Sequence, residues 1–380
     1  MRIAMIGIRG IPARMGGAEH VVEELAREMS ARGHDVIVYA RPCYLAGDNG
    51  HAPPGLVWEC ASLGSGRTIL TAGLEGKHLE AITHASTAMW DVLHRSVDVV
   101  HVHSPGPALL SWVPALCGKA LVFTVHAPDW RRDKWSRAAK AVLRAGLACG
   151  MRLADVVTAV SASLAEGLAR EFGREVIHVP NAVRPAQPRP IQAISRWGLA
   201  TDGYVLHVGR IVPEKRLDLL LRAWPGADAH RPLVVAGDYE SSRYGRACRS
   251  SAGANVLFLG PRYGQVLAEL YTHAALVVQP SVLEGMSLVV LEAAAYGRCI
   301  LAADIPANRE VLGEAAMYFT PDHVTELRQQ ICRSLANGGL RKRLGTEARS
   351  IVEARFSWPA TADRMERIYR QARQQKGSGR

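Results

Sequence analysis

Residues 275–297 constrain this chain more than any other stretch. Residues 275–279 form an apolar run of strand length, Pro280 and Gly285 punctuate the loop that follows, and Leu288, Leu291, Ala294 and Ala295 recur at helical spacing from a start near Ser287. Strand, loop and helix in that order are the unit of a parallel sheet, whose ligands bind at the carboxyl edge. Helix N-termini carry unpaired N–H groups and a positive dipole end, so the loop at Gly285, Met286 and Ser287, closing into Leu288, suits a phosphate. Two acids flank the helix start. Glu292 lies just over one turn inside it, roughly 6–8 Å along the axis at about 1.5 Å per residue. That is about the separation of a nucleotide's phosphates from its ribose diol. Glu284, on the outer side, reaches hydroxyls beyond the phosphates. Two solvated acids on an ordinary strand-loop-helix are the alternative.

The same unit recurs along the chain. Arg2–Ile6 reads as a strand, Gly7 to Gly17 as a glycine-rich loop, and 18–32 as a helix stopped by Gly33. Further strands are expected at 35–40, 56–59, 97–103, 120–125, 155–160 and 176–179, and a second set at 204–208, 232–236, 256–259, 275–279 and 299–303. Between the sets, residues 184–190 carry three prolines and no apolar period, the composition of a linker. Two doubly wound α/β domains follow from this pattern. The first loop has G-x-x-G and not G-x-G-x-x-G, and is too long for the tight turn of a dinucleotide fingerprint, which argues against a nicotinamide cofactor.

At 380 residues the chain is long enough for two cores. No run of about 18 apolar residues occurs and the N-terminus enters a strand directly, so the expectation is a cytoplasmic protein. Seven cysteines without a C-x-x-C pair read as reduced core thiols. A net charge of +11 favours anionic partners: nucleotide phosphates, a phospholipid surface or nucleic acid. The cations are spread along the chain with no recognition module, which disfavours nucleic acid. Within 130–152, however, seven cations face one acid beside Trp130, Trp135, Val142, Leu143 and Leu147. That is the pattern of a helix on an anionic membrane, or of one packing its apolar stripe on the sheet.

His101 and His103 share one strand face, a spacing able to clamp a metal, but no third ligand is suggested nearby and hydrogen-bonded histidines are favoured. His126 closes the strand 120–125, where open sheets bind ligands. A structural histidine is the alternative there.

Glu284 and Glu292, in the setting Pro-Ser-x-x-Glu-Gly, resemble the E-x7-E signature of glycosyltransferase family 4, retaining enzymes with the two-domain GT-B fold. Ser287 stands where many members have glycine, so a small residue is kept. Gly209-Arg210-x4-Lys215 is similar to the family's G-R-x4-K, whose cations hold the donor diphosphate, and Gly16-Gly17-x-Glu19 to its G-G-x-E loop beside the phosphates. Val179-Pro-Asn-Ala-Val183 is similar to the junction P-N-G-V, with alanine for glycine. Gly260-Pro-Arg262-Tyr263 falls where members place the base, with Tyr263 able to stack on it or to pack on a helix. His126 matches the histidine beside the transferred sugar. Residues 73–78 and 126–135 resemble a branch that includes bacterial rhamnosyltransferases of surface-polysaccharide assembly.

The resemblance implies two Rossmann-like domains facing across a cleft: an acceptor-side domain, 1–183, a donor domain, 184–357, and a terminal helix, 358–380, crossing back to the first, with its last residues frayed. It implies transfer of a sugar, rhamnose or a related hexose, from a nucleoside diphosphate to a hydroxyl of a lipid-linked or polysaccharide acceptor. No metal or cofactor is implied. His126, Glu284, Arg210 and Lys215 would be catalytic, and Gly16, Gly17, Gly209, Arg262, Tyr263, Gly285, Met286, Ser287, Leu288 and Glu292 would complete the nucleotide site. A GT-B-like nucleotide-sugar epimerase is the rival enzyme.

Overall fold

The computed structural model describes residues 1–13, 16–41, 57–63, 66–71, 79–132, 135–224 and 231–378. The chain divides into two compact units, Met1–Asn181 with Trp358–Arg380, and Ala182–Ser357.

The first unit is built on an eight-stranded sheet, β1 (Arg2–Ile6), β2 (Asp35–Ala40), β3 (Val57–Leu63), β4 (Gly66–Thr71), β5 (Val99–His103), β6 (Ala120–Val125), β7 (Val156–Ala159) and β8 (Ile177–His178), in the order β3-β4-β2-β1-β5-β6-β7-β8. Strands such as Val99–His103 and the apolar Ala120–Val125 are buried along their whole length, as strands covered on both faces must be. One strand was expected at 56–59. The structure has two, β3 and β4, pairing antiparallel as the sheet's only non-parallel ladder among the described residues. From β1 the chain winds to one side through β2 and β4, then returns to the other side at β5. The point between β1 and β5 is therefore a topological switch, where the carboxyl ends of an open sheet bind ligands.

The terminal helix Trp358–Ser378 buries Met365, Ile368, Tyr369 and Ala372 on this unit. It is pinned by Arg32, which binds both Asp363 and Glu366. The helix runs to Ser378, at the end of the described residues.

The basic stretch 130–152 is a turn followed by a helix, and the helix packs its apolar stripe on the sheet, the second of the two readings. Trp130 sits in a 3-10 turn, Asp129–Arg131, and is 5% exposed, packed in the core together with Leu147. Arg132 is paired with Asp129 at 2.8 Å. The helix proper, Arg137–Leu153, turns Gly146, Leu147, Gly150 and Met151 inward; a Cβ on Gly150 would lie 2.6 Å from the Phe123 ring, so glycine lets the helix lie against β6. Asp133 and Lys134 are outside the described residues, as is the segment 73–78.

The second unit carries six parallel strands, β9 (Val205–Val208), β10 (Leu233–Ala236), β11 (Val256–Phe258), β12 (Leu276–Gln279), β13 (Ile300–Ala303) and β14 (Met317–Phe319), in the order β11-β10-β9-β12-β13-β14. The sixth, β14, was not expected; at three residues it is too short for a periodic signal and exists because β13 offers it a ladder. The switch point of this sheet lies between β9 and β12. The expectation of core thiols holds for Cys248 and Cys299 but fails for Cys117, exposed just after the helix Trp112–Leu116; Cys43 and the side chain of Cys60 are outside the description.

Candidate active site

In the second unit the loops after β9 and β12 meet at the switch point. Gly209 leaves β9 with φ 132°, a conformation that glycine adopts at little cost. Gly237, after β10, is packed so tightly that a Cβ would fall 2.1 Å from the Gly209 carbonyl oxygen, and Gly237 N–H donates to the Gly260 carbonyl at 3.0 Å. Glycines after three successive strands thus stack backbone on backbone. Sequence reasoning passed over Gly237, although V-V-A-G after a buried run carries the same signal as H-V-G at Gly209.

The half-buried Arg210 follows, and a 3-10 turn, Pro213–Lys215, carries Lys215 back toward β12. Lys215 Nζ forms an ion pair with Glu284 Oε1, both side chains only 13% and 11% exposed. The backbone joins the loops as well, Val282 N–H donating to the Glu214 carbonyl at 3.1 Å. The two motifs, 69 residues apart in the Lys215–Glu284 pair, are therefore one construction.

Ser287 is the N-cap of the helix Leu288–Ala295, its Oγ accepting from Val290 N–H at 3.4 Å. This gives Ser287 a job that glycine lacks. Gln279, wholly buried at the end of β12, donates through Nε2 to Glu284 Oε1 and to Ser287 Oγ, each at 3.1 Å. It was missed in sequence, where Q-P-S reads only as a strand end. Gly285 and Met286 are buried beneath the helix start, and Leu288 is half-buried. Glu292, one turn on, accepts from the Tyr271 hydroxyl at 2.8 Å, and Tyr271 stacks on Tyr296 with centroids 5.5 Å apart.

Tyr263 is 54% exposed at the N-cap of the helix Gly264–His273; Arg262 lies with its guanidinium 5.3 Å from the Trp197 ring. His207 on β9 donates Nδ1–H to the Val278 carbonyl at 3.1 Å, and burial lowers its pKa to about 4.

In the first unit Gly16 caps the helix Gly17–Ala31 with φ 103°, and a Cβ there would lie 2.4 Å from Glu19 Oε2, so Glu19 folds back over the glycine. Glu23 ties the loop down by accepting from Ala13 N–H at 2.7 Å. Beside the switch point, β5 and β6 bring three histidines together. His101 and His103 have ring centroids 3.9 Å apart; His103 Nδ1 is 3.0 Å from His126 Nε2, with those rings stacked at 5.2 Å. His101 bonds the Tyr369 hydroxyl at 2.8 Å and Thr124 Oγ1 at 2.6 Å. Desolvation lowers His101 to about 3, His126 to about 4 and His103 well below its ordinary value, so all three are neutral near pH 7. Among the described residues no group of three histidines, cysteines or acids is arranged to hold a metal. A cavity of about 500 Å³ lined by Gly118, Asp155 and Lys376 lies at the amino ends of β6 and β7, away from both candidate edges.

Residues 15–187 match the Glycosyltransferase Family 4 family and residues 202–337 the Glycosyl transferases group 1 family. The two matches together make this chain a glycosyltransferase. O-antigen chain mannosyltransferase B of Escherichia coli is 30% identical over 182 residues, 46% of this chain and 47% of that one, so the match spans about half of each. D-inositol 3-phosphate glycosyltransferase of Streptomyces bingchenggensis is 26% identical over 98% of this chain and 89% of its own. Sucrose-phosphate synthase from Thermosynechococcus elongatus superposes with a TM-score of 0.81 at 22% identity, covering 97% of this chain and 98% of that one. HepE of Anabaena, solved with UDP and glucose, gives 0.78 at 18%, covering 97% and 99%. This glycosyltransferase therefore has the GT-B fold.

Proposed function

We propose that this glycosyltransferase moves a hexose, with retention of anomeric configuration, from a nucleoside-diphosphate sugar to a hydroxyl of a lipid-linked or polysaccharide acceptor. The observation that carries the reading is the joined construction at the second switch point. Arg210 and Lys215 supply cations, the capped helix start supplies N–H dipoles, and Gly285 permits close backbone approach, which together suit a diphosphate. Negative charge grows on that group as the bond from sugar C1 to phosphate oxygen breaks, so fixed cations lower the barrier. The acceptor oxygen forms the new bond to C1 and its proton passes to the departing phosphate. No protein nucleophile is required. We assign Glu292 to the ribose, Tyr263 and Arg262 to the base side, Gly16 and Gly17 to the phosphate side, and Glu284 and His126 to sugar hydroxyls.

The resemblance of residues 126–135 to a rhamnosyltransferase branch, and the E. coli relative named for O-antigen, support surface-polysaccharide assembly as the setting and rhamnose or a related hexose as the sugar. Thermal shift against UDP, GDP and dTDP tests the donor site. One base should raise the midpoint by mass action, and Glu292→Ala should abolish most of that rise; no shift with any diphosphate contradicts the reading.

A membrane-borne acceptor calls for surface docking. With Trp130 and Leu147 in the core, the support that remains is the exposed Arg131, Arg137 and Arg152, with Arg144 paired to Glu171 at 3.1 Å, on the stretch that also exposes Val142 and Leu153. Binding to anionic vesicles should weaken with salt and fall in an Arg137→Glu/Arg152→Glu variant; equal sedimentation with neutral vesicles contradicts it. No described helix is long and apolar enough to cross a membrane.

A further inference from the structure

His103 is wholly buried on β5, at the switch point of the first sheet, and its place is fixed by the backbone: a Cβ on Gly7, the residue after β1, would lie 2.1 Å from the His103 carbonyl oxygen. Its Nδ1 faces His126 Nε2 at 3.0 Å, while its Nε2 is buried with no hydrogen-bond partner among the described residues. His126 keeps partial exposure, and its Nδ1 has no protein partner among those residues.

We infer that His103 is a positioning residue: its Nδ1–H donates to Nε2 of His126 and so holds the His126 proton on Nδ1, the nitrogen left to meet a sugar hydroxyl as a donor. The inference rests on the assignment of His126 to the sugar. Only one proton fits between the two facing nitrogens, so there are two arrangements. If His126 donated, the His103 proton would stand on Nε2, a buried N–H with no acceptor. If His103 donates, its Nε2 is a bare nitrogen. Orphaned buried N–H groups are rarer than under-satisfied acceptors, which selects the second arrangement.

The same protein shows that arrangement where it is unambiguous. His207 faces the Val278 carbonyl with Nδ1, a group that only accepts, so its own proton is on Nδ1 and its buried, unpartnered Nε2 is bare. His101, whose ring lies tilted at 40° against that of His103, offers no alternative partner. The Tyr369 hydroxyl has its proton to place and only His101 Nδ1 to take it; His101 therefore carries its proton on Nε2 and gives it to Thr124, which meets Thr158 at 2.6 Å. Its two nitrogens are thus both spoken for, and the His103–His126 pair is left to set itself. A neutral His126 with Nδ1–H orients a hydroxyl by donating to its oxygen, and removes no proton from it.

Long-range ¹⁵N–¹H NMR of the full chain with labelled histidine tests this, with the His126 signals assigned by their loss in His126→Gln. The expected result at pH 7 is protonated Nδ1 and bare Nε2 for His126; the reverse overturns the inference. This measurement needs no substrate, so it stands or falls separately from the sugar assignment, which wild-type turnover in His126→Ala would remove. His103→Asn keeps a donor near Nδ1 and should keep the His126 tautomer and most of the turnover. His103→Leu lacks the donor and should lose about tenfold in turnover, with the thermal shift by nucleoside diphosphate retained. Equal losses in the asparagine and leucine variants overturn it.

Discussion

Lys215→Ala should lower turnover by roughly 10²–10³, the usual scale for removing one fixed donor from a group that gains charge in the transition state. The same substitution acts on the free protein. Lys215 and Glu284 are nearly buried, so removing the cation leaves a carboxylate without that counter-charge, still accepting from Gln279 Nε2 at 3.1 Å. Breaking such a pair from one side costs about 3–5 kcal/mol in buried cases, although rearrangement toward water at this loop edge reduces that. The double variant Lys215→Met/Glu284→Gln separates the two effects: stability should recover while turnover stays low. Recovery of turnover together with stability would reduce the pair to a fold-holding contact. Urea unfolding beside donor kinetics makes the distinction.

Acid should unfold the first unit before the second. Burial lowers His84 and His126 to about 4, His101 to about 3 and His103 well below its ordinary value, all in the first unit; the second has His207 at about 4. A histidine whose folded pKa lies below its unfolded value near 6.5 refuses a proton that the unfolded chain accepts. Stability is therefore full above about 6.5 and is lost as pH falls through the window to about 4, at up to 3 kcal/mol or so for each such group. Hydrogen exchange at pH 7 and pH 5 should show β5 and β6 losing protection more than β9 and β12. Equal protection at the two pH values would mean that the histidines charge in place.

Most of the strands were legible in sequence because each depends on local chemistry: an apolar run between glycine or proline stops. What was hidden depends on partners far away in the chain. Lys215 offered Glu214 as a neighbour, yet it pairs with Glu284, because β9 and β12 lie side by side only in the folded sheet. Gln279 has no local pattern that marks it as the link between Glu284 and the helix cap. Trp130 reads as an interfacial aromatic until the turn Asp129–Arg131 folds it into the core. The hairpin of β3 and β4 and the short β14 are ladder-dependent and carry little periodicity of their own.

The central claim is retaining transfer from a nucleoside-diphosphate sugar. Its most direct test is the anomer of the first sugar released when the protein turns over the donor whose diphosphate stabilises it, read by ¹H NMR before mutarotation. The account predicts release of nucleoside diphosphate with the sugar in the donor's own anomeric configuration. An inverted sugar would contradict it.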